Sequence, residues 1–526
     1  LTGATQQILR LNWINLGAPA AERDINAGLA DYFIESKAFE RVAAREKTIV
    51  IGNRGSGKSA IFQILAIRAK ATGASVIELF PEDYSYELLH QSMLSEGQGS
   101  WAKHGAYAAA WKYLIYVSVM KNLSSALHDI PKPVIQKHQD ATQVKRGNKQ
   151  TGRKNSLAAI KRYIRDNHYA GQPSKLSWLI SYLKRIEGVK IGKYEASLKA
   201  RELEKLYKLE EIEHLLPHLE KVLQSKRVVV LVDELDRGWD ASEDAQAFVA
   251  GLFQACLSIN QLSPDLTVYM SLRQELYDNI PALYDDAQKY RDLIEYVRWD
   301  EVGLRRLVCK RLRYNFQARY PQNHWAPDQP SDGYLWTQFM REDFPGDLSS
   351  FSYLADRTLF RPREIIQFCS QIVDYARENS HPLPLAHNTV SLAEPAYSDE
   401  RAKDIAAEFR LQYPRLLQVF EGFRGVNSIL SRNDIEEICL RIICEDWPAG
   451  DSPEWIENLD PSNLVEILWR IGFLCAHTAA STTGGLATNG SYVGSHQFAS
   501  LNLRKSDSFQ VHPMFQAWLG IGEAGI

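Results

Sequence analysis

The sequence predicts an α/β fold: a parallel sheet flanked by helices, with a large helical insert, a helical lid and a C-terminal domain of helices closed by a β-hairpin. Three observations carry this expectation. An apolar β-branched run, Thr48-Ile-Val-Ile51, feeds a glycine-rich loop, Gly52-Asn-Arg-Gly-Ser-Gly57-Lys58-Ser59, and an apolar helical pattern follows it. A second apolar run, Val228-Val-Val-Leu-Val232, ends in Asp233-Glu234. From Val426 onward, helical patterns give way to two strand-like pieces separated by a Gly/Ser/Thr-rich stretch, Ser481–Gly494.

Taken in order, residues 1–84 form an N-terminal segment and the first part of the sheet. Residues 1–46 read as helical, with Ala21-Glu-Arg-Asp24 and Asp31-Tyr-Phe33 leading to the first strand. A segment just ahead of such a loop packs near the base of a nucleotide, but no residue here identifies the base. The loop has the phosphate-binding spacing, a glycine, four residues, then Gly-Lys-Ser, with the strand before and helix after that the motif requires. Gly52, Gly55 and Gly57 let backbone N–H groups converge on an anion with no Cβ in the way. The helix starting near Lys58 aims its positive end at that anion. Lys58 can reach the β- and γ-phosphates and the Ser59 hydroxyl can ligate Mg²⁺. Asn53, Arg54, Ser56 and Ala60 complete the nucleotide-binding stretch. The helix is expected to run to about Ala71, stopped by Gly73, with a second strand over Ser75–Phe80.

Residues 85–224 read as a mostly helical insert. Between Pro131 and Ala200 it carries 16 Lys/Arg against 4 Asp/Glu, including Lys145, Arg146, Lys149, Arg153, Lys154, Lys161, Arg162 and Arg165. Its centre, Val144 to Asn155, is almost without apolar residues and reads as an exposed, mobile loop. Two readings stand: a contact for nucleic acid or an acidic partner, or a helical hairpin with a solvated basic tip.

Residues 225–320 should complete the sheet. A continuous apolar run is what a strand buried on both faces looks like. Its carboxylates fall at the C-terminal edge, where open α/β sheets place their ligand crevice. Asp233 fits the Mg²⁺-anchoring role and Glu234 the residue that orients attacking water; a strand-to-helix cap is the bland alternative. A helix over Ala241–Asn260 and a strand over Thr267–Arg273 follow. Arg273 would lie beside a γ-phosphate, or pair on the surface. Residues 285–320 read as helical and arginine-rich, and Ala318 to about Gly346 as a connecting excursion. Within a helical lid, 321–395, Arg361-Pro362-Arg363 opens an amphipathic helix. Cations are misplaced at a helix start, which points to an anionic partner: a nucleotide phosphate or a carboxylate. His381-Pro-Leu-Pro-Leu385 links to residues 396–526, a winged-helix pattern. From Val426 to the end there are 12 Asp/Glu against 5 Lys/Arg. A DNA-reading domain should be basic, so protein contact is expected.

Composition sets outer limits. At 526 residues two or three domains are expected, and a net charge of −3 argues against a wholesale nucleic-acid coat. The six cysteines, Cys256, Cys309, Cys369, Cys439, Cys444 and Cys475, are scattered without zinc spacing and read as reduced core residues of a cytosolic protein. The start has no basic region followed by an apolar core, so no signal peptide is expected. No stretch approaches the roughly 20 apolar residues needed to span a bilayer.

Gly52–Ser59, Asp233-Glu-Leu-Asp-Arg237 and Ser271-Leu-Arg273, with Arg361-Pro-Arg363 and the C-terminal pattern, resemble the STAND and KAP groups of AAA-like P-loop ATPases. The chain more closely resembles the bacterial FunZ-type ATPases, which Ala21-Glu-Arg-Asp24, Gly-Ser-Gly-Lys-Ser-Ala-Ile and Val511-His-Pro-Met-Phe515 also fit. The resemblance implies a P-loop NTPase fold. It implies that Lys58 and Ser59 bind phosphate and Mg²⁺, Asp233 holds the metal through water and Glu234 is the catalytic carboxylate. Arg273 takes the γ-phosphate sensor position, Arg363 or else Arg361 the second sensor, and Arg237 could act across a subunit interface. The chain departs from KAP proteins in lacking membrane spans and from STAND proteins in lacking repeats or an effector domain. The expectation is a cytoplasmic Mg²⁺–ATP-dependent switch that assembles into a homo-oligomer, works with a separate effector chain and serves anti-phage defence. Its rivals are a nucleic-acid-stimulated ATPase binding DNA or RNA through 131–200, and a scaffold that binds ATP without hydrolysing it; Glu234 argues against the scaffold.

Overall fold

The structure is a computed structural model. It describes residues 8–79, 100–126, 141–167, 209–235, 243–278, 280, 283, 290–323, 325–326, 328–346, 348–444, 447, 452–478, 491–497 and 501–522. The chain divides into two compact units: Glu35–Arg54 with Lys58–Val297, and Leu1–Ile34 with Gly55–Gly57 and Arg298–Ile526.

The first unit is built on a five-stranded sheet of β1 (Ile49–Ile51), β2 (Ser75–Leu79), β3 (Val228–Val232), β4 (Leu266–Leu272) and β5 (Ile294–Tyr296), in the order β2-β3-β4-β1-β5. Every pairing is parallel. β1, β3 and β4 are buried along their whole length, and β1 and β3 accordingly read as unbroken Val/Ile/Leu runs rather than alternating ones. α1 (Lys58–Ala71) follows the loop, and Gly73 takes a left-handed φ of 82° just past its end. α2 (Ser100–Ala126) and α3 (Ala141–Asn167) pack together in the insert, and α2 also lies along α4 (Glu243–Asn260). α2 and α4 cross at Gly251, where an added Cβ would stand 2.7 Å from the Tyr107 Cβ and 2.8 Å from the Ala108 nitrogen. Beside this crossing, Trp111 donates its indole N–H to the Phe248 carbonyl at 3.1 Å.

Two expectations are corrected here. Residues 144–155 belong to the continuous helix α3 and are not a loop. Lys, Arg and Gln are good helix formers, and the two glycines, 147 and 152, cost only about 1 kcal/mol each. Farther along the same helix, Ser156, Ile160 and Ile164 are buried at a spacing of four. The stretch 285–320, expected as helical, contains the edge strand β5. Its three residues are too few to show a period, and what places it is pairing with β1 together with the two bonds from Arg41 to the buried Glu295 carboxylate, at 2.7 and 2.5 Å.

In the second unit, α5 (Glu301–Arg319) starts on an Asp300 side-chain cap to the Gly303 N–H, at 2.7 Å. α5 was expected to close the first domain, but it packs against the helices Asp332–Phe339 and Ser350–Asp356, against α6 (Pro362–Glu378) and against Leu29–Tyr32. The expected excursion 318–346 contains the helix Asp332–Phe339, whose Trp336 is fully buried and donates to the Ser350 hydroxyl at 2.9 Å. α6 packs on α7 (His387–Glu408). Beyond them come β6 (Ile429–Ser431), α8 (Arg432–Cys444), α9 (Pro461–Arg470), β7 (Leu474–Thr478), β8 (Ser491–Val493) and β9 (Ser508–Val511). The strands form an antiparallel sheet in the order β6-β9-β7-β8. Phe420 and Phe473 stack 4.2 Å apart and nearly parallel, and Phe515 meets both at a tilt. Most of the Gly/Ser/Thr-rich stretch Ser481–Gly494, residues 481–490, lies outside the described residues. Five cysteines are buried, while Cys444 is exposed. Among the described residues no helix is long and apolar enough to cross a membrane.

Candidate nucleotide site

In the first unit, parallel pairing brings the C-terminal ends of β1, β4 and β3 to one edge of the sheet. The loop leaves β1 there, with the Gly52 N–H donating to the Leu272 carbonyl at 3.2 Å. Lys58 folds back over it and donates Nζ to the carbonyls of Gly52 at 2.7 Å and Asn53 at 3.0 Å. Asn53, Arg54, Ser59 and Ala60 are partly exposed around the loop.

Register places the acidic pair. Val232 stands opposite Met270, so Asp233 falls beside Ser271. The Ser271 hydroxyl donates to Asp233 Oδ1, which also accepts the Glu234 N–H at 2.9 Å. Glu234 has a φ of +58°, a left-handed conformation uncommon for a residue with a long side chain. Strain of this kind clusters at functional sites. Arg273 follows β4 directly and is partly buried. Arg237 lies outside the described residues.

The tip of the loop, Gly55–Gly57, belongs by its contacts to the second unit. Gly55 and Gly57 have φ of +78° and +99°, and among the described residues nothing lies within 4 Å of where a Gly57 Cβ would be. The Ser56 hydroxyl is buried with no hydrogen-bond partner among the described residues, and the Ser56 carbonyl accepts the Trp299 indole N–H at 2.8 Å. The Gly55 carbonyl accepts the Arg363 N–H at 3.4 Å. A Cβ on Gly55 would stand 3.0 Å from that of Arg363.

The two lid arginines separate. Arg361 is buried and faces carboxylates, Glu408 at 3.0 Å and Glu364 at 3.6 Å. Burial raises the Glu364 carboxyl above its usual range, and Arg361 pulls it back. Carboxylates are thus the anionic partners of Arg361. Arg363 is partly exposed, and its Nε lies 3.4 Å from the Pro19 carbonyl.

These residues fit a phosphate. The loop holds an orphaned buried hydroxyl, two left-handed glycines and an open space over Gly57, which is the backbone shape an anion nest requires. The Ser59 hydroxyl and the Asp233 carboxylate are hard oxygen donors of the kind Mg²⁺ takes alongside nucleotide phosphates. Ser271 was visible in the sequence as a strand end, though its bond to Asp233 was not. Trp299 and Pro19 carry no local motif, and they meet the loop and Arg363 across 243 and 344 residues of chain.

A glycine loop between a buried parallel strand and a helix, with an acidic strand end two strands away, defines a P-loop NTPase fold. Two family models match the chain: ORC-CDC6-like over residues 18–237, and the FunZ-associated C-terminal helical domain over 303–406. Both matches support a FunZ-type P-loop ATPase. The chain is also similar, at 23% identity over 521 residues, to a protein assigned to transposon gamma-delta (80.3 kDa) in Escherichia coli strain K12. The match covers 96% of this chain and 66% of that protein.

Proposed function

We propose that this chain is a Mg²⁺-dependent ATP hydrolase acting as a nucleotide-controlled switch or assembly scaffold. The observation that carries the reading is the shared sheet edge, where Lys58 closes over the loop and Asp233 and Glu234 follow β3, on the far side of β4 from β1. In this reading Glu234 orients a water for in-line attack on the γ-phosphorus and takes its proton. The new P–O bond forms as the bond to the β,γ-bridging oxygen breaks, and ADP leaves. Lys58, Arg273 and Arg363 stabilise charge on the transferring group. Ser59 and, through water, Asp233 would hold Mg²⁺, which would supply further neutralisation of the phosphates. Arg237 would serve a neighbouring subunit.

The strand and helix order of residues 416–519 fits a winged helix with an extra strand, β8. Its acidic balance suits protein contact, in a cytoplasmic homo-oligomer with a separate effector chain. Anti-phage defence is the proposed setting, and the transposon named for the E. coli relative adds mobile elements as another. The test is ATP turnover by Lys58→Ala and Glu234→Gln. Each should lower kcat by at least about 100-fold, the scale of removing one charge-stabilising group; turnover that survives both overturns the site.

A second reading, stimulation by DNA or RNA bound along residues 131–200, is favoured by α3, which exposes Lys154, Arg162 and Arg165 away from its buried stripe. Stimulation of turnover that falls steeply with salt would distinguish it.

A further inference from the structure

The acidic residue of the N-terminal Ala21-Glu-Arg-Asp24 stretch is almost completely buried, 1% exposed, and both of its carboxylate oxygens accept hydrogen bonds. Asp24 Oδ1 accepts the Ala18 N–H at 2.7 Å and the Tyr32 hydroxyl at 2.7 Å. Its Oδ2 accepts Nη2 of Arg311 from α5 at 2.8 Å. The Arg311 guanidinium lies over the Tyr32 ring, 4.5 Å from its centroid, and its Nη1 donates to the Leu16 carbonyl. Gly17 has a φ of +77°, and an added Cβ there would collide with Asp24, Arg311 and Tyr32. The turn Leu16–Pro19 is therefore wrapped around one carboxylate and held at both ends, by Arg311 at Leu16 and by Asp24 at Ala18.

A buried ion pair of this kind is weak evidence for stability, because its desolvation cost can match its attraction. Its best use is to fix a geometry. What it fixes here is the Pro19 carbonyl, one residue beyond the clamped Ala18 N–H, and that carbonyl meets Arg363 Nε at 3.4 Å. The Arg363 backbone is held at the other side by Gly55. Arg363 thus stands between the loop tip and a turn whose conformation Asp24 sets. All of these residues belong to the second unit.

We infer that Asp24 is a positioning residue for Arg363, acting through Arg311, Tyr32 and the Leu16–Pro19 turn to present the guanidinium to the nucleotide phosphates. The inference rests on the ATPase reading above and adds to it a residue that acts through its bonds to Ala18, Tyr32 and Arg311.

A double-mutant cycle tests it. Wild type, Asp24→Asn, Arg363→Ala and the double variant are compared for ATP turnover and for affinity toward a fluorescent N-methylanthraniloyl ATP, with thermal unfolding as a check on folding. Asp24→Asn should lower kcat/KM about tenfold, and the same change made in the Arg363→Ala background should add almost nothing. If the two effects multiply, Asp24 is only a structural clamp and the inference is overturned. Should Asp24→Asn not fold, Tyr32→Phe, which removes a single hydroxyl from the carboxylate, takes its place in the cycle with a loss of about threefold expected. Wild type that binds and turns over ATP while the cycle is additive sinks this inference alone. Wild type that does neither sinks the ATPase reading as well.

Discussion

Both ring nitrogens of the half-buried His496 are shut off from solvent without a hydrogen-bond partner among the described residues. Phe360 stacks on it at 5.5 Å and His512 meets it edge-on at 5.6 Å. Burial, with the Arg361 charge second, pushes its pKa down to about 4 from 6.5. His512 is lowered well below its ordinary value by burial, then by His496 and Arg357. The unfolded chain therefore takes up protons that the folded one refuses. Stability is unaffected above pH 6.5 and falls as pH drops from 6.5 toward 4. Asp356 runs the other way: burial raises it to about 6 despite Arg357, so its contribution is present at low pH and lost as pH rises through 6. Comparing wild type with His496→Gln by denaturant unfolding from pH 7 to pH 4 isolates the histidine. The variant should escape roughly 3 kcal/mol of the acid loss, since each pKa unit is about 1.4 kcal/mol; equal pH slopes in the two proteins would refute it.

At the scale of elements, the contact between α2 and α4 depends on one missing side chain. The atoms an added Gly251 Cβ would meet include the Ala108 nitrogen and the Tyr107 carbonyl carbon, at 2.8 and 2.9 Å. Backbone cannot swing away as a flexible side chain can, so the helices themselves must separate. Gly251→Ala should destabilise the first unit by about 1–3 kcal/mol, the usual cost of overpacking, even though alanine is the better helix former. A shift of the denaturant midpoint in that direction checks it, and unchanged or increased stability would show that the crossing yields. The element also shows where pattern reading fails. α3 was misread in its basic half because a helix without an apolar stripe looks like a loop, while its buried Ser156, Ile160 and Ile164 sit at the far end. β5 was missed because three residues have no period and its neighbour β1 lies more than two hundred residues earlier in the chain.

For the whole molecule, the proposed switch predicts a change of assembly with nucleotide. Glu234→Gln, which should bind ATP without consuming it, is expected to reach a larger mass with ATP and Mg²⁺ than without, by light scattering. Lys58→Ala should keep one mass in both conditions. A mass for Glu234→Gln that ignores ATP would remove assembly from the proposed output and leave hydrolysis untouched.

The parts of this protein legible in the sequence are those whose chemistry is made by neighbours along the chain. An anion nest uses consecutive backbone N–H groups, so Gly52 to Ser59 declares itself within eight residues. A strand buried on both faces must be apolar throughout, so β3 and its Asp233-Glu234 terminus are equally plain. Tertiary structure alone decided the rest. Arg361 and Arg363 are chemically identical and two residues apart. The folded chain gives the Arg361 guanidinium to the buried Glu364 and Glu408, while the Arg363 N–H meets the Gly55 carbonyl at the loop tip. The same holds for Asp24, whose partner Arg311 lies 287 residues farther along the chain. Charges choose partners by distance and desolvation in the folded state, and neither is written in local order.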